Sequence, residues 1–187
     1  EPMSHVALQL YEGRQLHTVT QAEGLDHFRT IRDDLDRVGR AQTLLEAVDQ
    51  VAQEGEPNAR LYQMLVGALR ALAAADAPLI VPAFFLKLLS LEGVHPVLDR
   101  CVSCGAVDDL VAFDPGSGGA LCRTCRQGAP MGADALVLMR RILGGGLVGA
   151  LDEPASAATR EVEHLASAAL EHHLERRLRS LRVMDGA

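Results

Sequence analysis

The stretch Cys101-Val102-Ser103-Cys104 is followed, seventeen residues later, by Cys122-Arg123-Thr124-Cys125, and these are the four cysteines of the 187-residue chain. Each C-x-x-C pair places two sulfur atoms on one tight turn, and two such turns can close a tetrahedron around one Zn²⁺. A closed four-sulfur site leaves no position for water, so the spacing predicts one structural zinc ion per chain. Gly105 directly after the first pair suits a turn that needs a positive φ.

Other interpretations of the four cysteines stay open, namely an iron–sulfur cluster, a redox dithiol pair and unliganded thiols. A thiol redox enzyme is disfavoured because no βαβ pattern surrounds either pair. We find no signal peptide, and the longest apolar run, 77–91, is too short and too interrupted to span a bilayer. We therefore expect a cytoplasmic protein without membrane contact, whose thiolates hold a metal.

The composition limits how the chain could bind nucleic acid. Its formal net charge is −7, which argues against coating DNA by bulk charge but leaves room for a local basic patch. Hydrophobic residues make up 48% of the chain and aromatic residues only 3%, so aliphatic side chains must fill the core.

The first residues predict a β-hairpin, with strands at 5–11 and 15–20 around a tight turn at 12–14. A lone hairpin is barely stable in water, so we expect further strands to pair with it. The chain begins with Glu1-Pro2 rather than Met, and we therefore expect a segment upstream.

Helical periodicity dominates from residue 25 onward. It predicts a helix over 25–52 that could kink at Gly39, and then a helix over about 58–76 with Asn58 as its N-cap. The next helix has Pro82 in its first turn and runs to Gly93. After the cysteines we predict helices at 133–143, ended by three glycines, and at 154–182. The second of these has a core face that includes Leu174, Leu178 and Leu181.

The cysteines define a small module of roughly 96–128, with short strands at 110–113 and 120–121 around turn residues 114–119. The sequence thus predicts an α+β, mainly α, fold in which a zinc-ribbon-like module is inserted into a helical body.

Two groups of arginines are candidate phosphate contacts. Arg100, Arg123 and Arg126 flank the cysteines, and their simpler interpretation is a solvated surface. Arg176, Arg177, Arg179 and Arg182 fall on the last turns of the predicted final helix, where they could instead complement the helix dipole.

The segment 84–91 is apolar nearly all round, which is typical of a core helix, although a groove for a partner's hydrophobic tail is the alternative. His172 and His173 lack the spacing of a metal site. The chain has no phosphate-cradling glycine loop and no catalytic constellation, and we predict that it is not an enzyme.

The order of these elements resembles the bacterial RecO family of DNA repair and recombination mediators. The resemblance rests on 88–93, on Pro96 to Gly105 with the first cysteine pair, and on Phe113 and 118–125 with the second. The hairpin up to residues 21–23 looks like the last part of that family's N-terminal OB-fold. The resemblance implies that 1–24 is the C-terminal part of an OB-fold and 25–187 a helical domain, with the zinc module 96–128 inserted.

The resemblance also implies a function. RecO proteins bind single- and double-stranded DNA, anneal complementary strands, and work with RecR, and in many bacteria RecF, to load RecA onto strands covered by single-strand binding protein. On this basis the protein is expected in the cytoplasm at the nucleoid, with Arg14 in the hairpin turn as a DNA contact. The groove for the acidic, hydrophobic tail of single-strand binding protein is expected near the helix 84–91. A zinc-stabilised adaptor with little DNA contact of its own is the alternative.

Overall fold

The computed structural model describes residues 3–75 and 77–181. Helices are its largest component, together with an N-terminal hairpin and one small sheet, which confirms the predicted α+β, mainly α, class. The elements in chain order are β1 His5–Tyr11, β2 Thr18–Asp26, α1 Arg29–Arg32, α2 Leu35–Val51, α3 Ala59–Ala74, α4 Ile80–Leu91, β3 Leu110–Asp114, β4 Gly119–Cys122, β5 Ala129–Pro130, α5 Ala133–Leu143, α6 Leu147–Leu151 and α7 Ala157–His173. Among the described residues no helix has the length and apolar character needed to cross a bilayer.

The hairpin pairs β1 with β2 in antiparallel register, with Leu8 opposite Ala22 and Leu10 opposite Val19. The second strand was predicted at 15–20, and these bounds are wrong. Residues 15–17 have no partner in β1, so the loop spans 12–17 and the strand starts at Thr18. Both faces of the hairpin are exposed along nearly its whole length. Its own backbone hydrogen bonds are therefore its main source of order.

The helix predicted over 25–52 is wrong in its first part, because residues 25–26 end β2 and only the short α1 is helical before α2. The chain is interrupted before α2 and is not kinked at Gly39. Asp34 interrupts it because its carboxylate accepts hydrogen bonds from the backbone N–H groups of Asp36 and Arg37, which makes it the N-cap of α2. Gly39 then lies inside an unbroken helix.

The central helix is α4, which packs against α2, α3, α5 and α7. Phe85, Leu86 and Leu88 are completely buried in it, which confirms that the apolar segment 84–91 is core. The helix before it starts where predicted, since the Asn58 side chain accepts a hydrogen bond from the N–H of Leu61.

The cysteine module is inserted between α4 and α5 and carries a sheet of order β4-β3-β5. The two predicted strands are present. The structure adds β5, which the sequence does not predict because two residues are too few to show a periodic pattern. The chain that enters the module is joined to β4, because Val97 donates to Gly118 O and accepts from the N–H of Ala120. A Cβ at Gly119 would lie 2.2 Å from Val97 O, so only glycine permits this approach.

The C-terminal part differs most from expectation. The helix α7 begins at a capping box between Ser156 and Thr159 and ends at His173, well before the predicted residue 182. The chain turns away at Glu175, whose φ is +50°. Leu178 is buried as predicted, but it belongs to the segment after α7, and Arg182 lies outside the described residues.

Candidate metal centre

The two cysteine turns meet at one place. One sulfur from each of Cys101, Cys104, Cys122 and Cys125 lies within 4.8 Å of every other. The Sγ atoms of Cys104 and Cys122 are 3.7 Å apart, and sulfurs bound to zinc at about 2.3 Å would lie about 3.8 Å apart in a tetrahedron. The predicted ligands are thus brought together in an arrangement that fits a tetrahedral, sulfur-loving ion.

Backbone hydrogen bonds shape the first turn. Cys101 O accepts from the N–H of Gly105, and Cys101 N–H donates to Ala106 O at 2.7 Å. Gly105 has a φ of +79°, the conformation that the sequence predicted for it. The turn is therefore closed by the main chain, which aims both of its sulfurs to the same side.

The second turn continues directly from β4, whose last residue is Cys122. Cys125 N–H donates to Cys122 O at 3.1 Å, and Arg123 N–H donates to Asp109 O. Between the turns, Val102 N–H donates to Ala120 O, so the sheet holds the two cysteine pairs in fixed register.

The four sulfurs differ in exposure. Cys101 and Cys122 are buried, with exposed fractions of 1% and 6%, whereas Cys125 is half-buried and Cys104 is exposed. One edge of the cluster therefore faces solvent, and the other rests on the core.

Electrostatics inside the cluster separate the thiols of the first pair. The backbone N–H of Cys122 lowers the pKa of Cys101 to about 6, against the opposing effect of burial. For Cys104 the N–H of Ala106 lowers the pKa, but hydrogen bonds with the other three sulfurs outweigh it and raise the pKa to about 11. The sulfurs thus share protons with one another, and a bound cation would replace those protons.

The candidate arginines occupy three separate places. Arg14 is exposed in the hairpin loop, and Arg123 and Arg126 are exposed at the second cysteine turn. Arg123 forms an ion pair with Asp109 at 3.5 Å, with both side chains about two-thirds exposed, so solvent screens the pair.

The C-terminal arginines follow α7 instead of lying on it, so the expectation that they cap a helix dipole is wrong for the described residues. Arg176 donates to the Gln50 side chain of α2, and the backbone N–H of Arg179 donates to Glu46. The side chains of Arg177 and Arg179 stay exposed. The structure does not gather the six arginines into one patch.

The structure also brings together basic residues beside α4 that the sequence analysis did not name. Arg60, Lys87 and His95 line a cavity of about 410 Å³ together with Met64, Ser90, Leu91 and Leu143. No acidic residue lines it. The signal in the sequence was Lys87, the single lysine of the chain, placed within an otherwise apolar helix.

Comparison with known proteins places the chain among DNA repair proteins. The family model described as "Recombination protein O C terminal" matches residues 32–182. A "DNA repair protein RecO" of Roseiflexus sp. (strain RS-1) is 41% identical over 193 residues, which cover 99% of this chain and 68% of the relative. Proteins of the same name from Nocardioides sp. (strain ATCC BAA-499 / JS614) and Frankia casuarinae are each 37% identical over 193 residues. They are covered to 79% of their own length.

Proposed function

Since the chain belongs to the RecO family of DNA repair and recombination proteins, we propose that it acts as a recombination mediator. The family is non-enzymatic, so the work is done by binding. The protein would bind single- and double-stranded DNA, anneal complementary strands and, with RecR and RecF, help load RecA onto strands covered by single-strand binding protein. It would act in the cytoplasm at the nucleoid. The observation that carries the proposal is the 41% identity along 99% of the chain.

We further propose that the four cysteines hold Zn²⁺. Four sulfurs at tetrahedral spacing satisfy this ion and leave no ligand position for water, so the ion would stabilise the module rather than act on a substrate. Measuring metal content of gently purified protein by mass spectrometry tests this assignment. We expect one zinc per chain, and iron or an absence of metal would contradict it.

The hairpin is proposed as the last part of an OB-fold, with the helical domain starting after it. Val6, Leu8 and Leu10 alternate onto one face of β1 and are 40–52% exposed. An apolar face of this kind is what a strand of a small barrel presents to its interior. We propose that strands outside these 187 residues cover it, which would place the first domain boundary near residue 24.

DNA contact is proposed for Arg14, Arg123, Arg126, Arg176, Arg177 and Arg179. Exposure supports Arg14, Arg126 and Arg177 most, since exposed guanidinium groups can reach phosphates without breaking a native contact. The hairpin loop, as part of an OB-fold, would lie beside the groove that binds unstacked bases.

Fluorescence anisotropy with a labelled single-stranded oligonucleotide at several salt concentrations tests DNA binding by the full-length protein. We expect affinity to fall steeply with salt, and the slope to decrease in Arg14→Gln but not in the control Arg160→Gln, an exposed arginine on α7. If the full-length protein does not bind DNA at low salt, the adaptor alternative is correct.

The cavity beside α4 supports contact with single-strand binding protein. Its rim carries the positive groups of Arg60 and Lys87, while Met64, Leu91 and Leu143 supply apolar surface. This combination suits an acidic, hydrophobic tail that ends in a free carboxylate. None of its lining residues is Phe, Tyr or Trp, which disfavours stacked bases as the occupant.

A labelled peptide of the last ten residues of the cognate single-strand binding protein provides the test. We expect Lys87→Gln to weaken its binding about tenfold and Arg160→Gln to leave it unchanged. Amidation of the peptide's terminal carboxylate should weaken binding to a similar degree. Equal affinity of Lys87→Gln and the wild-type protein would rule out this cavity.

A further inference from the structure

The cavity beside α4 opens into a larger one against the cysteine module. The two share His95 and Leu143 in their linings, and the larger has a volume of about 770 Å³. Its other side is formed by Arg140 and Gly144 at the end of α5. The two cavities thus form one groove that runs from α3 to the first cysteine turn.

One wall of this groove is the chain that enters the metal centre. Residues 95–102 all line the larger cavity, and Cys101 among them is a proposed metal ligand. Gly105, at the end of the same cysteine turn, lines it as well. We call residues 95–102 the ligand-bearing wall. Its far end is fixed where the sulfurs converge, so its position depends on what holds them together.

Two contacts hold the first part of the ligand-bearing wall, before the cysteine turn. Val97 forms hydrogen bonds with Gly118 and Ala120 on the facing turn and strand. The Arg140 guanidinium donates from Nε and Nη2 to Leu98 O, at 2.9 and 2.7 Å, and joins the wall to α5. Both contacts lie at wall residues that precede the cysteine turn. In the turn itself, Cys101 N–H donates to Ala106 O and Val102 N–H donates to Ala120 O, so the main chain is paired there as well. A bound ion would add the tie that acts through the Cys101 side chain.

Charge and surface chemistry continue along the wall. Arg100 precedes Cys101 and is exposed, with only the screened partner Asp99 at 3.1 Å. Pro96, Val97 and Leu98 add apolar surface to the same cavity. Asp99 lines the larger cavity too and offsets the charge of Arg100, so this cavity chiefly extends the apolar lining of the smaller one and suits the apolar part of the same peptide.

We propose that metal occupancy controls this groove: the bound ion fixes the ligand-bearing wall and so sets the affinity for the acidic partner tail. The identity of the partner rests on the proposed mediator function and the ion on the proposed zinc site, and the two are tested by separate measurements. Loss of the ion leaves four sulfurs within 4.8 Å of one another without a shared cation, and the turn that ends the wall loosens. The module then acts as a metal-dependent half of the binding site.

Amide hydrogen exchange tests the wall directly. Full-length protein is compared in its metal-loaded form and after removal of metal with a chelator. We expect amides of 97–102 to exchange at least about tenfold faster without metal, while those of α2 and α3 keep their protection. Equal exchange of 97–102 in both forms would overturn the inference.

Peptide affinity, with the labelled tail peptide, supplies the second measurement. Cys104→Ser removes the exposed ligand with the least disturbance of packing, and we expect about a tenfold weaker affinity. If the metal-loaded wild-type protein does not bind the peptide, the proposed partner is wrong, and the exchange experiment still decides whether metal fixes the wall.

Arg140→Gln keeps the inference testable if metal-free protein unfolds. It removes the tie to Leu98 O while all four sulfurs remain, so we expect zinc content to be unchanged and peptide affinity to fall about fivefold. Arg160→Gln is the matched control. Unchanged affinity in Arg140→Gln would show that the wall does not shape the groove, and would contradict the proposal.

Discussion

The cysteine module builds its sheet from strands of five, four and two residues, whereas the hairpin uses strands of seven and nine. Yet β3 and β4 of the module are the buried strands. Every residue of β4 is buried, while both hairpin strands are exposed along nearly their whole length. The comparison teaches that a strand here gains stability from what it packs against and not from its length.

The largest effect on this difference is expected from removing the proposed zinc ion beside the buried sheet. Cys122→Ser takes away a buried sulfur at the end of β4, and we expect loss of bound zinc and a melting temperature lower by about 10 °C or more. Metal analysis and calorimetry measure the two effects. Ser103→Ala, in the first cysteine turn but outside the ligand set, should change neither. An unchanged melting temperature in Cys122→Ser would mean that packing alone holds the module.

Packing of the module on the helical body is expected to have the next largest effect. Phe113 on β3 is 1% exposed, so Phe113→Ala should cost about 3–5 kcal/mol of unfolding free energy by the cavity it leaves. Urea denaturation measures the cost. Val107→Ala, at a side chain 65% exposed in the same module, should stay within about 0.5 kcal/mol. A cost below about 1 kcal/mol for Phe113→Ala would show that the sheet does not depend on the core.

The segment after α7 is an intermediate case, because it is held by a buried leucine and one carboxylate. Glu46 accepts hydrogen bonds from the N–H groups of Arg179 and Ser180 and from the Ser180 hydroxyl. Burial raises the pKa of Glu46, but the hydrogen bonds of Ser180 and Arg179 outweigh it and lower the pKa below its usual value. The folded pKa is thus below the unfolded one, and the ionised group stabilises the fold above the unfolded pKa.

We expect Glu46→Gln to cost less than about 1 kcal/mol, since much of the carboxylate is solvated, and to speed amide exchange at residues 179–181. The wild-type contribution should disappear as the pH falls below 4.5 and through the folded pKa, so the difference from the variant should vanish there. Denaturation at several pH values measures it. The control is Asp49→Asn on the same helix, and a pH dependence equal in Glu46→Gln and wild type would contradict the assignment.

Substitutions in the hairpin should change the stability of this chain least. They also test most directly whether covering a strand stabilises it. Leu8 is 51% exposed, so Leu8→Ser should change the stability of this chain by no more than about 0.5 kcal/mol. In full-length protein, where we propose that an OB-fold covers this face, the same change should cost about 2 kcal/mol or more. Gln9→Ser, on the opposite face, is the control. Equal small effects in both proteins would refute the proposed domain.

The cluster of four cysteines was predictable because two C-x-x-C pairs constrain geometry whatever surrounds them. The N-cap at Asn58 and the helix 133–143 were predictable for a similar reason, since capping and termination are local. In contrast, the second hairpin strand was misplaced because its residues 21–24, Gln-Ala-Glu-Gly, carry neither alternation nor β-forming side chains. Pairing with β1, which is not local, decides that strand.

Two further errors have the same cause, which is that apolar residues keep helical spacing across a point where the helix is interrupted. The end of α7 could not be read because Leu174, Leu178 and Leu181 keep helical spacing although the chain leaves the helix at Glu175. The break before α2 was hidden because Asp33 and Asp34 look like ordinary solvent-facing acids in the middle of a longer helical pattern of apolar residues. The groove beside α4 was predicted only roughly, since a cavity depends on helices that are distant in sequence.

The position of α4 has a consequence for how the protein is made. This helix is apolar nearly all round and packs more extensively against α7 than against any other helix, and α7 is synthesised only after the cysteine module and α5. During synthesis it must therefore wait in an incomplete nascent chain with its hydrophobic side chains uncovered. The cysteine module closes on neighbours close in sequence and can fold in that interval. A chain that stops before α7 would thus combine a folded cysteine module with a helical body whose apolar surface is uncovered, and such a chain is prone to aggregation.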